Sequence, residues 1–183
     1  MKINKRLTAF IIVLSFFLIN YFLIPRYNVL CISNRKNPNN KFYSENAYNL
    51  GFIISYTHSV NKGRVHDYYK IDKKTGELIM TDTHFVSYGA GIPEPEETEG
   101  AEFEVLDNGY IIKNINRSVQ KLTMAVGLIA NHTISICYKD GNFFGKITSE
   151  DKLTNYFEPQ TSLILESKKI NLIEYWLHRY PKE

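Results

Sequence analysis

Residues 51–72 read Gly51-Phe52-Ile53-Ile54-Ser55-Tyr56-Thr57-His58-Ser59-Val60-Asn61-Lys62-Gly63-Arg64-Val65-His66-Asp67-Tyr68-Tyr69-Lys70-Ile71-Asp72. Two runs rich in β-branched and aromatic residues flank Asn61-Lys62-Gly63, whose side chains are those of a turn. The stretch predicts strands over 51–60 and 64–72, folded back on each other as an antiparallel hairpin. The same alternation continues in both directions. Toward the N-terminus, strands are predicted at 28–33 and 41–44, separated by the turn residues 35–40. Toward the C-terminus, Lys73-Lys74-Thr75-Gly76 turns into a strand over 77–87. Segments 102–106 and 110–115 flank Asp107-Asn108-Gly109, a strong hairpin signal. Segment 121–126 leads to 132–139, and Asp140-Gly141-Asn142 turns into 143–147. Nine or ten short strands with no helix between them predict an all-β fold, an antiparallel β-sandwich or barrel-like domain.

Two stretches break this pattern. Residues 89–100 hold four glutamates and two prolines and read as a long loop. Residues 168–180 place Ile170, Ile173, Trp176, Leu177 and Tyr180 at helical spacing, which predicts a C-terminal amphipathic α-helix docked on the domain, with a partner or the bilayer as the alternatives for its apolar stripe.

The N-terminus is of another kind. Lys2, Lys5 and Arg6 precede an uncharged run over 7–24, which Pro25 and Arg26 end. As a helix the run would rise about 27 Å, close to the hydrocarbon thickness of a bilayer. A cleaved signal peptide would have a shorter apolar region followed by a small-residue cleavage site, and Ile24-Pro25-Arg26-Tyr27-Asn28-Val29 offers none. The reading is an uncleaved transmembrane anchor, with the basic end in the cytoplasm and the rest of the chain on the extracytoplasmic side. The domain organisation is then 1–26 stub and anchor, 27–167 β domain, and 168–183 C-terminal helix. Charge agrees with this division. Of the 22 Lys and Arg residues, four lie in the first 26, leaving 18 against 19 acidic residues in the remainder. The domain is near neutral, and no nucleic-acid-binding face is implied.

Cys31 and Cys137 both sit in alternating apolar runs, so one disulfide and two buried free thiols are both compatible with the sequence.

The chemistry-bearing residues cluster around the first hairpin. If Val60 pairs with Arg64, His58 lies opposite His66 and Thr57 opposite Asp67, so that the two imidazoles share a face. His132 would be needed to complete a three-histidine set, and the metal-dependent hydrolase reading rests on His58, His66 and His132. The sequence has no Gly-x-Ser-x-Gly elbow and no Gly-rich phosphate loop, and it implies neither a metal nor another cofactor. Thr57, His58 and Ser59 place three polar side chains where residues 51–54 are apolar, so they either pair internally as scaffold or sit at an exposed strand end. Gly89 and Gly91 serve either positive-φ turning as the chain leaves a strand or close backbone approach to a ligand or partner.

At these residues the sequence resembles a known family. Tyr56-Thr57-His58-Ser59-Val60, then Val65-His66-Asp67-Tyr68-Tyr69, follow one another toward Phe85-x-Ser87-x-Gly89-Ala90-Gly91-x-Pro93. Glu99-Gly100-Ala101-Glu102-Phe103 and Val126-Gly127…Asn131-His132-Thr133 complete the series. In that order they resemble the bacterial domain of unknown function 1850, over roughly 29–165. Asp67 stands where the family more usually has Glu, and Gly63-Arg64 where a Pro often precedes the Val. The resemblance implies a small, N-terminally hydrophobic, extracytoplasmic protein that accompanies TRAP-type transporters using a TAXI-class solute-binding protein. It implies an accessory or binding role, with a TAXI-class solute-binding protein or the TRAP membrane subunits as partner, and no enzyme activity. The binding surface is expected at Tyr56, His58, Ser59, Asp67, Ser87, Gly89, Gly91 and His132. A purely structural envelope protein is the remaining alternative.

Overall fold

The computed structural model describes residues 5–87, 99–137 and 150–181. An apolar helix, α1 (Lys5–Leu23), precedes two antiparallel sheets and carries no buried side chain. The smaller sheet is built from β1 (Tyr27–Asn34), β2 (Lys41–Ser44), β9 (Leu122–Ala125) and β12 (Ser162–Ile170), in the order β2-β1-β12-β9. The larger contains β3 (Phe52–Thr57), β4 (Arg64–Ile71), β5 (Leu78–Phe85), β6 (Glu102–Leu106), β7 (Gly109–Lys113), β10 (Thr133–Ile136) and β11 (Asp151–Lys152). Its order is β11-β10-β3-β4-β5-β7-β6, and β8 (Arg117–Val119) pairs with β5 beside this path.

Period-two alternation explains how the layers close. Leu30 and Ile32 of β1, with Leu163 and Leu165 of β12, turn toward Phe52, Ile54, Tyr69, Ile71 and Leu78 of the large sheet, and all nine are buried in one core. The intervening residues of β1, Val29 and Cys31, point the other way. They pack with Tyr43, Ile170 and Tyr175, the last from α3 (Leu172–His178). β1 is therefore buried on both faces, which accounts for its unbroken Val-Leu-Cys-Ile run. The sandwich and the C-terminal helix agree with the sequence reading.

Three local expectations are corrected, and the open question of the cysteines is decided. A short helix, α2 (Glu45–Leu50), does interrupt the strands: Ser44 Oγ accepts from the Ala47 N–H at 2.9 Å, and Gly51 ends the helix at φ +91°. Any side chain at Gly51 would place its Cβ 2.7 Å from the Tyr69 carbonyl oxygen. The nine residues of β12 form a strand that the turn spacing did not reveal, and they claim 168–170 from the predicted helix. α3 consequently begins at Leu172, capped by Asn171, and docks through Tyr175, whereas Ile173, Trp176 and Leu177 of the predicted docking stripe are exposed. The cysteines are free, both buried on outward faces, Cys31 under α3 and Cys137 against Ile53 and Tyr68 of the large sheet. Packed sheets are about 10 Å apart, beyond disulfide reach. The strand predicted at 143–147 lies outside the described residues.

The first hairpin also differs in register. Thr57 pairs with Arg64 and Ser55 with His66. This is a displacement by three positions, which reverses the face β3 shares with β4. His58 leaves the ladder to organise the turn. Its N–H donates to Gly63 O at 2.9 Å, and its Nδ1 accepts from the Val60 and Asn61 N–H groups at 3.3 and 3.5 Å. Asn61 Oδ1 accepts from the Gly63 N–H at 2.9 Å. These bonds are available only if residues 58–63 form the loop.

Candidate functional site

The corrected register sorts the polar residues of the large sheet onto two faces. On the inner face Asp67 lies opposite Ile54 and Thr83, a carboxyl among core side chains. Thr83 Oγ1 donates to its Oδ1 at 2.7 Å, and the Tyr56 hydroxyl donates a second bond. Burial pushes the Asp67 carboxyl up to about 6, with both hydrogen bonds opposing the rise. The Tyr56 ring also packs against His132, 5.7 Å between centroids, and His132 Nδ1 accepts from the Gly127 N–H at 3.1 Å. Burial, then the charge of Arg64, hold the His132 imidazole below its ordinary value.

On the outer face Ser55, His66 and His84 lie in register across three strands. His66 Nδ1 and Ser55 Oγ share a 2.7 Å hydrogen bond, and the His66 and His84 rings stack 5.8 Å apart at 18°. Burial leads in lowering His66 to about 4. His84 and Arg64 lower it further, and Glu150 opposes them. Burial lowers His84 as well. Both rings are therefore neutral at pH 7. The His84 Nε2 is buried without a hydrogen-bond partner among the described residues.

Beside them Arg64 joins two segments. It donates to Asn131 O at 2.8 Å, to Thr133 Oγ1 at 2.7 Å and to Glu150 Oε2 at 2.5 Å. Thr133 Oγ1 donates to the same Glu150 oxygen at 2.9 Å. The Thr57 N–H donates to Ala130 O at 2.7 Å, and Asn61 Nδ2 to Ser87 O at 2.9 Å. Three segments, 58–63, 86–87 and 127–132, are thereby bound together at one end of the sheet. Their rim is apolar and exposed: Val60, Val86, Leu128 and Ile129, the last at 84%.

The residues singled out from sequence are therefore divided. Tyr56, Asp67 and His132 form one partly buried contact chain. His58 and Ser59 belong to the turn, and Ser87 to the segment held against it. Gly89 and Gly91 lie outside the described residues. His58, His66 and His132 of the hydrolase reading are not brought together: the turn, the outer face and the Tyr56 contact hold one each. Among the described residues no group of three or more His, Cys, Asp or Glu could hold a metal ion. Sequence reasoning missed His84, Arg64 and Glu150. His84 and Asp82 share a face with Ile79 only because the register shifts at Tyr68/Tyr69; counted from the Ile71–Leu78 pair without that shift, His66 would face Thr83 instead of His84.

No curated protein and no solved structure matches the chain. A family model does match, over residues 52–143, which is half of the chain and contains both faces of the hairpin and the 127–132 segment. The chain belongs to the family described as domain of unknown function (DUF1850).

Proposed function

We propose that this protein is a membrane-tethered, extracytoplasmic accessory module that binds a protein partner of a TRAP-type solute transport system through the loop end of its large sheet. One observation carries the reading: Val60, Val86, Leu128 and Ile129 expose apolar side chains on segments that lie beside the hydrogen-bonded network of Arg64, Thr133 and Glu150. An apolar patch rimmed by satisfied polar groups is the ordinary anatomy of a docking surface. Its position supports the reading too. The Val126 N–H bonds to Thr161 O, and Ala125 pairs with Ser162, so the 127–132 segment adjoins the start of β12. The end of α1 adjoins the other end of that strand, where the Arg26 N–H meets Ile170 O. Eight strand residues, about 27 Å, separate the two. A partner would therefore meet the module away from the bilayer that α1 is read to cross.

The test is co-purification of the TRAP membrane subunits and the solute-binding protein with the full chain from detergent-solubilised membranes. Wild type should retain them, and Leu128→Asp with Ile129→Asp should lose them while keeping the wild-type melting temperature. Equal recovery with the double variant would place binding elsewhere. Recovery of neither transport component by wild type would end the transport reading.

A further inference from the structure

α3 is amphipathic in the wrong sense for a helix that serves only its own domain. At about 100° per residue, Ile173, Trp176 and Leu177 fall within one arc of about 100°, and Tyr175 lies on the side opposite. Tyr175 is the buried residue, whereas Ile173, Trp176 and Leu177 are 43%, 65% and 72% exposed. The helix has spent one aromatic ring on the fold and turned its apolar stripe outward.

What lies next to α3 is fixed by the connection to α1. Only Ile24 and Pro25 separate the α1 region from Arg26, whose N–H bonds to Ile170 O at 2.9 Å, two residues before α3 begins. The Arg26 guanidinium donates back to Tyr21 O at 2.6 Å and lies 4.2 Å from the Tyr21 ring centroid. Tyr27 stacks on Tyr175 at 5.1 Å and 4°, and α1 and α3 are in contact. α3 thus adjoins the exit point of the helix long and apolar enough to cross a membrane, and its apolar stripe is exposed there on the side away from Tyr175. Trp and Tyr favour the headgroup layer, where an apolar ring and a polar edge are both accommodated, and Arg179 and Arg26 suit phosphate beside it.

We propose that α3 is an interfacial helix, with Ile173, Trp176 and Leu177 seated in the phospholipid headgroup layer of the membrane crossed by α1. The inference rests on the reading of α1 as an uncleaved anchor. Two attachments at one end, a span and a surface helix, would fix the tilt of the sandwich and hold its loop end outward.

Trp176 is the chain's one tryptophan, so its fluorescence reports on α3 alone. The full chain is reconstituted into phosphatidylcholine/phosphatidylglycerol vesicles, and resistance to carbonate extraction is measured in the same samples. The expected result is carbonate resistance, blue-shifted Trp176 emission, quenching by lipids brominated near the headgroup end of the acyl chain, and protection from aqueous acrylamide. Ile173→Ser with Leu177→Ser should reverse the shift and the lipid quenching and leave carbonate resistance unchanged. Carbonate-resistant protein whose Trp176 stays red-shifted and acrylamide-accessible would overturn the interfacial helix and leave the anchor standing. Protein stripped by carbonate would overturn the anchor, and this inference with it.

Discussion

Asp67→Asn is the perturbation whose outcome follows most directly from the partly buried polar chain. The folded carboxyl titrates near 6, against 3.8 without the fold, because it sits among core side chains between Ile54 and Thr83. Between those two values the native state holds a proton that the unfolded chain releases. Stability from this group is therefore complete below about pH 4 and is lost as pH rises through about 6. Two pH units correspond to roughly 3 kcal/mol. Asparagine cannot ionise, so it escapes this loss, but its amide brings a donor without an evident partner, at a cost of roughly 1–3 kcal/mol at every pH. The variant should thus be the weaker protein at pH 4 and should draw level with or pass the wild type by pH 7.5. The gap in melting temperature should move by about 6–12 °C in its favour, at roughly 2–4 °C per kcal/mol for a chain of this size. Far-ultraviolet circular dichroism of the full chain in detergent, scanned at several pH values, measures this. A gap that stays constant from pH 4 to 7.5 would refute the raised carboxyl and mean that Tyr56 and Thr83 hold Asp67 ionised throughout.

His66 has the opposite sign: folding holds it near 4 against 6.5, so its contribution is present above about pH 6.5 and fades as pH falls toward 4. His66→Asn should therefore show a stability deficit that narrows over that range by roughly 3 kcal/mol; a widening deficit in denaturant titrations would contradict the neutral buried imidazole. Gly109→Ala should cost at least about 2 kcal/mol, because a Cβ there would lie 2.5 Å from the Phe85 carbonyl oxygen at φ +147°, and urea unfolding would show it. The unreduced protein should yield two thiols per chain to a thiol reagent in denaturant and almost none when native, since Cys31 and Cys137 are buried on opposite outer faces and burial pushes the Cys137 thiol up to about 12. A non-reactive denatured chain would show a bridge.

What was legible in the sequence is what local chemistry decides. Lys41–Ser44 and Glu102–Leu106 form as the turn spacing predicts, and β1 follows its apolar run to within a residue at each end. The sequence was least informative where two local rules compete. His58 has strand neighbours, yet its imidazole nitrogen can collect two backbone N–H groups, and that choice moves the register by three. Ser44 ends a strand-like Lys41–Ser44 run and at the same time caps α2, so strand and helix signals meet at one residue. β12 went unread because Glu166, Ser167, Lys168 and Lys169 look like a solvated helix start. Tertiary pairing with β1, over eight positions, overrides that polarity. The outer-face cluster joins Ser55 to Glu150 across the chain, a juxtaposition no spacing rule could contain.

The pairing of β1 with β12 also sets an order of events. β1 is the first domain segment to follow α1, and β12 is the last strand before α3. A chain emerging N-terminus first must therefore hold Val29, Leu30, Cys31 and Ile32 without their principal neighbour while more than a hundred further residues arrive. β2 can shelter one edge early, through Leu30 to Ser33, but the other edge stays open until the chain is nearly complete. Such closure is slow because the loop entropy is lost before the contacts form, and an open apolar edge invites pairing with other chains meanwhile. Biogenesis of this protein should accordingly depend on the cell's chaperones more than its size suggests, and a chain cut short before residue 162 should be cleared rather than accumulate as a partial domain.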